Sequence, residues 1–392
     1  MDAGRNPYSP GAGSPPAALT GRDDELEAWD VALSRAEAGR SARSPALYGL
    51  RGVGKTVLLS QYAKRAKRAN WVVAQVEAIQ GGDFRETLSV QLRIALARLA
   101  TPTASEVFKG ALRTLSSFRA SVDSAGTWSL GFDLSSARGG GADSGNLESD
   151  LATLVTDLAA AAAEDGHGIA ILVDEAQDLT NDELAALCAA LHRANQDAAP
   201  VLIAVAGLPS LPRVLSEAKS YAERLFDYRP IGALGESATK EAIVRPSDDL
   251  NVSWMRDAVD EVVTVSDGYP FFIQQVAHET WNAARGPAIE EADARVGAAE
   301  AQRILDAGFY RARWERATTA EKRYMRAMGV DGENGSSSSA VGARLGRSQS
   351  SVAPLRARLM GKGLIYAPDH GVVAFTVPGM AAFIGRQPEM EE

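Results

Sequence analysis

The chain has few of the residues that build disulfides or metal sites. It has one cysteine, Cys188, and four histidines among 392 residues, which excludes an internal disulfide framework and a cysteine-rich zinc site and argues against a histidine-based metal site. No apolar run approaches the ~18 residues needed to cross a bilayer. The first ten residues, MDAGRNPYSP, are polar and lack the basic-then-apolar pattern of a secretion signal. We therefore expect a soluble, cytoplasmic protein that makes no use of a membrane.

The charge balance is acidic. The chain has 41 basic and 50 acidic side chains, a net charge of −9. This balance argues against a surface coated with nucleic acid as a whole, but it is compatible with a local basic patch. A chain of 392 residues is too long for one compact core and predicts two or three domains.

Short apolar runs alternate with helical patterns through the first 233 residues. The apolar runs are 46–50, 71–79, 168–179 and 200–209, and the helical patterns are 55–69, 85–100, 149–164 and 181–195. Strands that are apolar on both faces and alternate with helices indicate a parallel sheet covered on both sides, so we predict an α/β fold. Residues 101–145 interrupt this pattern, and we interpret them as an insertion that could form a hairpin around Trp128 to Leu134.

The rest of the chain changes character twice. After residue 233 the patterns are helical, and residues 318–386 then show three short helical patterns followed by two strand-like segments. We predict a flexible loop at 332–339, GENGSSSS. The predicted segments are a Pro- and Gly-rich leader without a core of its own (1–17), an α/β domain (18–233), a helical domain (234–315), a C-terminal domain (316–386) and an acidic tail (387–392).

The strongest motif lies directly after the first apolar run. It reads Gly49-Leu50-Arg51-Gly52-Val53-Gly54-Lys55-Thr56 and fits G-x-x-x-x-G-K-[ST]. Glycines let the backbone curl so that its N–H groups point at a polyphosphate, and the helix that follows presents its positive end to the same charge. Lys55 can then reach the β- and γ-phosphates, and the Thr56 hydroxyl can bind Mg²⁺. The alternative is a glycine-rich turn before an ordinary helix, but the strand–loop–helix context favours phosphate binding.

A second motif places two carboxylates at the end of an apolar run. Asp174 and Glu175 follow IAILV, and ligands of parallel sheets bind at the carboxyl ends of the strands. Asp174 would join the magnesium shell, and Glu175 would orient or deprotonate an attacking water. The alternative is a strand that ends in solvated acids, which the P-loop upstream disfavours. Gln177 and Asp178 are weaker candidates, and Asp178 could instead cap the next helix.

Together these motifs resemble the AAA+ P-loop ATPases, in particular the initiator-like group related to the origin-recognition ATPases, and also the signalling STAND ATPases. The resemblance extends over nearly the whole chain from about residue 18, through GRD (21–23), GLRGVGKT (49–56), LVDEAQDL (172–179), VAGLP (205–209) and GYPFFIQQ (268–275). It implies a P-loop parallel-sheet ATPase domain, a helical lid and a winged-helix domain. It also implies ATP and ADP as ligands, Mg²⁺ as cofactor, hydrolysis of ATP, and assembly with further copies or with a protein partner.

The resemblance also implies roles for single residues. Arg22 would border the adenine, and Arg224 would reach the γ-phosphate of a neighbouring subunit, where it would take part in catalysis with Lys55 and Glu175. Arg224 could instead form a surface ion pair with Glu223 or Asp227. Pro270 would pack on the nucleotide, or would simply begin an apolar helix.

Two departures from the family pattern indicate slow hydrolysis. The fourth strand ends in VAGLP (205–209) without the usual polar residue, and Phe271 and Phe272 stand where an arginine often follows the lid turn. Both departures affect turnover and leave nucleotide binding unaffected. The resemblance therefore fits a slow switch better than a motor.

The C-terminal segment has the opposite charge to the rest of the chain. Residues 318–386 have nine basic and four acidic side chains, and residues 337–363 have five basic side chains and no acidic one. The stretch reads as a helix, a turn at Gly346 and a second helix capped by Ser348, the helix-turn-helix pattern that places a helix in the major groove. The predicted DNA contacts are Arg344, Arg347, Ser350, Arg356 and Arg358. The alternative is a winged helix that contacts protein, including its own ATPase domain.

Three functions are therefore compatible with the sequence. The first is an ATP-dependent switch that assembles on duplex DNA through its winged helix. The second is a STAND-like signalling or defence ATPase whose winged helix contacts protein. The third is a nucleotide-binding scaffold with negligible turnover.

Overall fold

A computed structural model describes residues 1–11, 13–97, 105–120 and 141–388 of the chain. The described residues form three regions, which we name the α/β region (20–231), the helical region (234–304) and the C-terminal region (305–388). None of the helices in these ranges combines the length and apolarity that a bilayer crossing requires.

The α/β region contains one five-stranded parallel sheet. Its strands are β1 (Ser44–Tyr48), β2 (Val72–Glu77), β3 (Ile169–Asp174), β4 (Val201–Gly207) and β5 (Phe226–Pro230). Their spatial order is β2-β3-β4-β1-β5, and every pair is parallel. All seven residues of β4 are buried, as expected for a strand covered on both faces. The predicted α/β class with a parallel sheet is confirmed.

Helices cover both faces of this sheet. They are α1 (Asp23–Glu37), α2 (Lys55–Arg68), α3 (Phe84–Leu96), α4 (Glu106–Ala120), α5 (Leu147–Glu164), α6 (Asn181–Gln196), α7 (Leu211–Ala218) and α8 (Ala222–Leu225). Alternate residues of β3 enter different cores, since Ile171 and Val173 pack with α3, α5 and α6 while Ala170 and Leu172 pack with α1 and α2. This alternation follows from the period of two in a strand.

Helix α4 corrects the interpretation of the insertion. Phe108, Leu112, Leu115 and Phe118 are buried against the core that α3 and α5 share, so part of segment 101–145 builds the domain. Their spacing of three and four residues is a helical signal that was present in the sequence. The predicted hairpin around Trp128 to Leu134 lies outside the described residues.

The helical region follows β5. Its helices are α9 (Glu236–Asp248), α10 (Arg256–Ser266), α11 (Pro270–Ala283) and α12 (Glu291–Ile304), with a short parallel pair of β6 (Ser253–Trp254) and β7 (Ala288–Ile289). Gly268 makes the turn before α11 with φ +69°, and a Cβ there would lie 2.4 Å from the carbonyl oxygen of Leu234. Only glycine fits this close approach, which sets the direction of α11.

The C-terminal region begins with a π-helical turn over Leu305–Tyr310. Its further elements are α13 (Arg311–Glu315), α14 (Thr319–Gly329), β8 (Ser336–Ser337), α15 (Ser338–Arg344), α16 (Gln349–Gly361), β9 (Ile365–Tyr366), β10 (Val372–Phe375) and α17 (Met380–Gly385). The strands form an antiparallel sheet in the order β8-β10-β9. The predicted order of three helices and a hairpin is present in α14, α15, α16 and β9–β10.

The predicted loop at 332–339 is wrong from Ser336 onward. Ser336 and Ser337 pair with Val373 and Val372 of β10, and helix α15 begins at Ser338. The Ser336 hydroxyl is buried and donates to the carbonyl oxygen of Met328. A run of serines does not predict such a strand, because the strand is stabilised by pairing with β10 rather than by the β-propensity of its own residues.

Candidate nucleotide site

The P-loop joins β1 to α2 at the carboxyl edge of the sheet. Gly52 and Gly54 have φ +89° and +93°, a backbone conformation that favours glycine. A Cβ at Gly49 would lie 2.0 Å from the carbonyl oxygen of Ile231, so this position also requires glycine. The three motif glycines are therefore explained by close approach at one position and by left-handed backbone at two.

The ammonium group of Lys55 lies in the concave side of the loop. Its Nζ donates to the carbonyl oxygens of Gly49 and Leu50, each at 2.9 Å. Burial lowers the pKa of Lys55 to about 8, against the opposing effect of the Glu175 and Asp174 carboxylates. A buried cation with a depressed pKa is stabilised by an added anion, so this position suits a phosphate.

Thr56 and Asp174 bring two oxygen donors together beside the loop. The Thr56 hydroxyl donates to Asp174 Oδ2 at 2.6 Å, and the backbone N–H of Glu175 donates to Asp174 Oδ1 at 2.9 Å. Burial raises the pKa of Asp174. A hydroxyl and a carboxylate next to a phosphate loop are donors that suit Mg²⁺, which takes one or two carboxylates and completes its shell with phosphate and water. Within the described ranges, no group of three or more His, Cys, Asp or Glu residues forms a separate metal centre.

The Glu175 carboxylate is turned toward the P-loop. It lies 3.3 Å from a guanidinium nitrogen of Arg51 and accepts a hydrogen bond from Gln177 Nε2 at 2.7 Å. Its backbone has φ +50°, a conformation that costs a non-glycine residue of order 1–3 kcal/mol and often occurs at functional sites. The two motifs thus meet through an ion pair that the sequence analysis did not predict.

Gln177 connects the ends of two neighbouring strands. Its Oε1 accepts a hydrogen bond from the backbone N–H of Leu208, just after β4, at 2.8 Å, while its Nε2 bonds Glu175. A polar group therefore lies at the tip of β4 although β4 itself ends without one. Asp178 does not cap α6, since Thr180 is the capping residue and forms a capping box with Glu183.

A cavity of about 440 Å³ opens in front of the P-loop, within the usual size of small-molecule sites. Its walls come mainly from four parts of the chain: residues between Ser9 and Arg22, residues 51–57, residues 270–274 of α11, and the pair Phe309 and Arg313. Glu175, Leu234 and Ala242 complete the lining. The α/β region supplies its polar floor, and the other three parts enclose it.

The leader forms part of this enclosure. Tyr8 is buried among helices of the helical region, where its hydroxyl donates to the carbonyl oxygen of Ile243 and accepts from Trp254 Nε1. The backbone N–H of Ser9 donates to Gln274 Oε1 at 3.0 Å. The leader therefore packs into the core of another region, which the sequence did not indicate.

Arg22 and Pro270 both lie at the cavity. The Arg22 guanidinium donates to the carbonyl oxygens of Val53 and Gly232, and burial lowers its pKa. Pro270 is the first residue of α11, and the next residue, Phe271, donates its N–H to the carbonyl oxygen of Gly52 at 3.2 Å. The helical region thus packs directly on the P-loop.

Arg313 is a cavity residue that sequence reasoning missed. It lies 258 positions after Lys55, and no motif marks it. Its guanidinium stacks 3.9 Å from the centroid of the Phe309 ring and donates to the carbonyl oxygen of Phe309 at 2.7 Å. Arg224, in contrast, is exposed on α8, does not line the cavity and forms no ion pair within the described part of the chain, while Asp227 pairs with Arg229.

The structure places the five predicted DNA contacts in three different environments. Arg344 forms a two-pronged ion pair with Asp331, both contacts at 2.6 Å, and Arg358 bonds the buried Glu321 at 3.2 Å. Arg347 and Ser350 are exposed around the start of α16. Arg356 is half-buried, and its Nε has no hydrogen-bond partner among the described residues.

Two comparisons with known proteins bear on these regions. Residues 18–204 match the family model of the AAA ATPase domain, and residues 307–384 match a domain of unknown function, DUF8462. No curated protein matches the chain.

Solved structures resemble the chain over nearly its whole length at low identity. The Walker-type ATPase PABY2304 of Pyrococcus abyssi is 15% identical with a TM-score of 0.58, covering 94% of this chain and 96% of that one. The Orc1 protein of Aeropyrum pernix in complex with DNA is 15% identical with a TM-score of 0.45, covering 95% and 94%. Cdc6p of Pyrobaculum aerophilum is 14% identical with a TM-score of 0.46, covering 98% and 97%.

At these identities the first likeness shows the fold alone, a P-loop ATPase fold. The family match is specific to the region that contains the P-loop, Asp174 and Glu175. The predicted relation to the AAA+ P-loop ATPases is therefore confirmed, and residues 18–204 of this chain are an AAA ATPase domain.

Proposed function

We propose that the chain binds ATP with Mg²⁺ in the cavity before the P-loop and hydrolyses it slowly, as a nucleotide-dependent switch. One observation carries the proposal: the buried Lys55 and Thr56 line this cavity, and the Thr56 hydroxyl bonds Asp174. The P-loop N–H groups from Gly52 to Thr56 and the Lys55 ammonium bind the phosphates. Arg22, Pro270 and the leader border the base and the sugar.

The divalent ion has donors of the right kind. Thr56 and Asp174 hold Mg²⁺, and this ion supplies neutralisation of the phosphate charge when it is bound. Glu175 lies one residue after Asp174, where its carboxylate can accept a proton from the water that attacks the γ-phosphate. ADP and phosphate are the products.

The contacts of Glu175 explain why turnover should be slow. The Glu175 carboxylate is paired with Arg51 and hydrogen-bonded to Gln177, so these two partners occupy the oxygens that would accept a proton from water. It must leave Arg51 before it can take a proton from water. We infer that the described conformation is a resting state.

The switch is built on the contact between the C-terminal region and the P-loop. The backbone N–H of Arg51 donates to the carbonyl oxygen of Thr376, just after β10, at 3.0 Å. Arg51 therefore contacts both Glu175 and the C-terminal region. A movement of the C-terminal region changes the setting of the residue that holds the proposed base.

Two variants test the proposed chemistry. Glu175→Gln should keep ATP binding and abolish most turnover, whereas Lys55→Ala should weaken ATP binding strongly. Calorimetry measures the binding, and phosphate release measures the turnover. Wild-type turnover in Glu175→Gln would remove Glu175 from its role. Absence of any binding of ATP with Mg²⁺ to the wild type would refute the proposal as a whole.

Hydrogen exchange tests the switch. The amides of 363–376 should exchange at different rates with ADP and with a non-hydrolysable ATP analogue, since the proposal ties this segment to Arg51. Identical exchange with both nucleotides would contradict the proposed coupling, but it would not affect the proposed hydrolysis of ATP.

Binding of duplex DNA by the C-terminal region is a second candidate function. The observation that favours it is the exposure of Arg347 and Ser350 around the start of α16, within a stretch that has five basic and no acidic side chains. The helix–turn–helix and hairpin order supports a winged-helix interpretation of residues 316–386. The ion pairs of Arg344 and Arg358 weaken the case, because their charge is partly neutralised.

Assembly into a homo-oligomer remains part of the proposal. Arg224 is exposed and is therefore available to a neighbouring copy, where it would contact a γ-phosphate. Particle mass with and without a non-hydrolysable ATP analogue tests this directly. If the protein is a monomer in both states, the proposed role of Arg224 is wrong. In that case Arg224→Ala should have the same turnover as the wild type.

A further inference from the structure

Arg313 lies at the nucleotide cavity, where no carboxylate of the described residues pairs with it. The ionisable groups that act on it most strongly are Arg51, Arg316 and Tyr310, and none of these is an acid that neutralises it. Within the described ranges its guanidinium forms no ion pair, and its one hydrogen bond goes to a backbone carbonyl. A partly buried cation among other cations raises the free energy of the protein unless an anion joins it.

The carboxylates near the cavity floor have other partners. Glu175 pairs with Arg51, and Asp174 bonds the Thr56 hydroxyl. Lys55, Arg51 and Arg313 thus line the same cavity with more positive than negative charge. The missing charge matches a polyphosphate, since such a ligand brings several negative charges to one place.

The stack on Phe309 fixes the direction of Arg313. Stacking on the ring fixes the plane of the guanidinium, and its remaining N–H donors lie in that plane as a rigid fork. Phe309 itself contacts Phe271 of α11, with ring centroids 5.0 Å apart, and Phe271 bonds the P-loop at Gly52. The fork therefore has a rigid support at the P-loop side of the cavity.

Arg313 belongs to the C-terminal region and not to the helical region. The Tyr310 ring stacks on Phe383, the Tyr310 hydroxyl donates to the carbonyl oxygen of Pro378 at 3.0 Å, and Trp314 is buried in the same core. Arg313 lies between these two anchors, inside the part of the chain that matches the domain of unknown function.

We infer that Arg313 binds the terminal phosphate of ATP, so that the domain at residues 307–384 senses in the same chain whether the nucleotide is ATP or ADP. The inference rests on the proposed function and assigns a role to the part of the chain that matches the domain of unknown function. ATP provides an anion for Arg313 and holds the C-terminal region against the P-loop. ADP lacks the group that Arg313 binds, so the cation is again unpaired and the contact weakens.

Affinities for two nucleotides test this role. Arg313→Gln, which keeps much of the packing on Phe309, should weaken a non-hydrolysable ATP analogue by about tenfold or more, as expected for the loss of a charged hydrogen bond. It should change the affinity for ADP by less than about twofold. The matched control is Arg311→Ala, which removes the same charge from an exposed position on the same short helix.

The outcomes separate this inference from the proposed function. If the wild type binds neither nucleotide, the proposed function fails and this inference with it. If the wild type binds both and Arg313→Gln loses nothing, or loses ATP analogue and ADP equally, the inference alone is wrong. Thermal melting of each variant, including Arg313→Ala, shows whether it is folded. A well-folded Arg313→Lys should recover part of the preference for the ATP analogue, because the charge remains while the planar guanidinium is lost.

Discussion

The two basic clusters of this chain differ in their counter-charges. At the nucleotide cavity, Lys55 and Arg313 have no ion pair within the described ranges, and both have a pKa that burial lowers, to about 8 and about 10. In the C-terminal region, Arg344 has its pKa raised by its bond to Asp331, and Arg358 bonds Glu321. The cluster whose cations have fewer acidic partners, the one at the nucleotide cavity, is therefore the one that needs an anionic ligand.

This difference shows why a count of basic residues is a weak guide to nucleic-acid binding. The stretch 337–363 has no acid of its own, yet two of its arginines, Arg344 and Arg358, pair with acids that precede it in the sequence, Asp331 and Glu321. The fold supplies counter-charges that a local count leaves out. At the cavity the opposite happens, because the fold brings together cations from segments that are far apart in sequence.

Lys55→Ala should produce the largest effect. Removing the cation at the cavity floor should lower the affinity for ATP by at least about a hundredfold, since several charge-assisted contacts are lost together. Arg344→Ala, which removes a neutralised cation, should leave ATP affinity unchanged. Calorimetry on both variants measures the contrast, and equal losses would mean that the two clusters do not differ as described.

Glu175→Gln should act on the rate alone. General-base catalysis contributes typically 10²–10⁴-fold, so turnover should fall by about that factor while the affinity for ATP stays near the wild-type value. Asp178→Asn is the matched control, because Asp178 lies three residues on in the same turn. A comparable fall in the control would show that loss of a nearby charge, rather than of the base, slows the reaction.

Glu321 offers a stability test of the second cluster. Burial raises its pKa, but hydrogen bonds from Lys362, the backbone of Thr318 and Arg358 outweigh this and lower it to about 2. Glu321→Gln should therefore cost about 1–3 kcal/mol at pH 7, as is usual for the loss of hydrogen bonds to a charged group.

The pH dependence has a definite sign. Because the folded pKa of Glu321 lies below the unfolded value of 4.5, the stabilisation is complete above pH 4.5 and is lost as the pH falls toward 2. Urea titrations at pH 7 and pH 3 should show the wild type and Glu321→Gln drawing closer at the lower pH. A gap that is the same at both values would contradict the ion-pair account.

The sequence predicted the parts of the site that are local in the chain. The P-loop glycines, Lys55 and Thr56 form one continuous motif, and Asp174 with Glu175 ends one apolar strand. Each of these needs only the rule that parallel strands place their carboxyl ends at one edge. That rule places both motifs at the same edge of the sheet, where the Thr56 hydroxyl bonds Asp174.

The parts that the sequence did not predict depend on packing between distant segments. Tyr8 lies in the core of a region that is more than 200 residues away in the sequence. Arg313 lines the cavity although it follows the whole helical region in the sequence. The pairing of Arg51 with Glu175 is of the same kind. Periodicity and motifs describe one element at a time, so they cannot show which elements meet. Helix α4 differs, because its apolar spacing of three and four residues is a local signal in the sequence.

The smallest expected effect concerns DNA. If the exposed Arg347 contacts a phosphate, Arg347→Ala should weaken binding of duplex DNA by a few-fold and lower the slope of log affinity against log salt by about one. Arg344→Ala should leave that slope nearly unchanged, because the ion pair with Asp331 already neutralises Arg344. Fluorescence anisotropy at two or more salt concentrations measures both slopes. Equal slopes for the two variants would mean that ion pairing does not decide which arginines bind DNA. If the wild type does not bind duplex DNA even at low salt, the second candidate function is wrong, and the nucleotide cavity is then the basic cluster for which a ligand is still proposed.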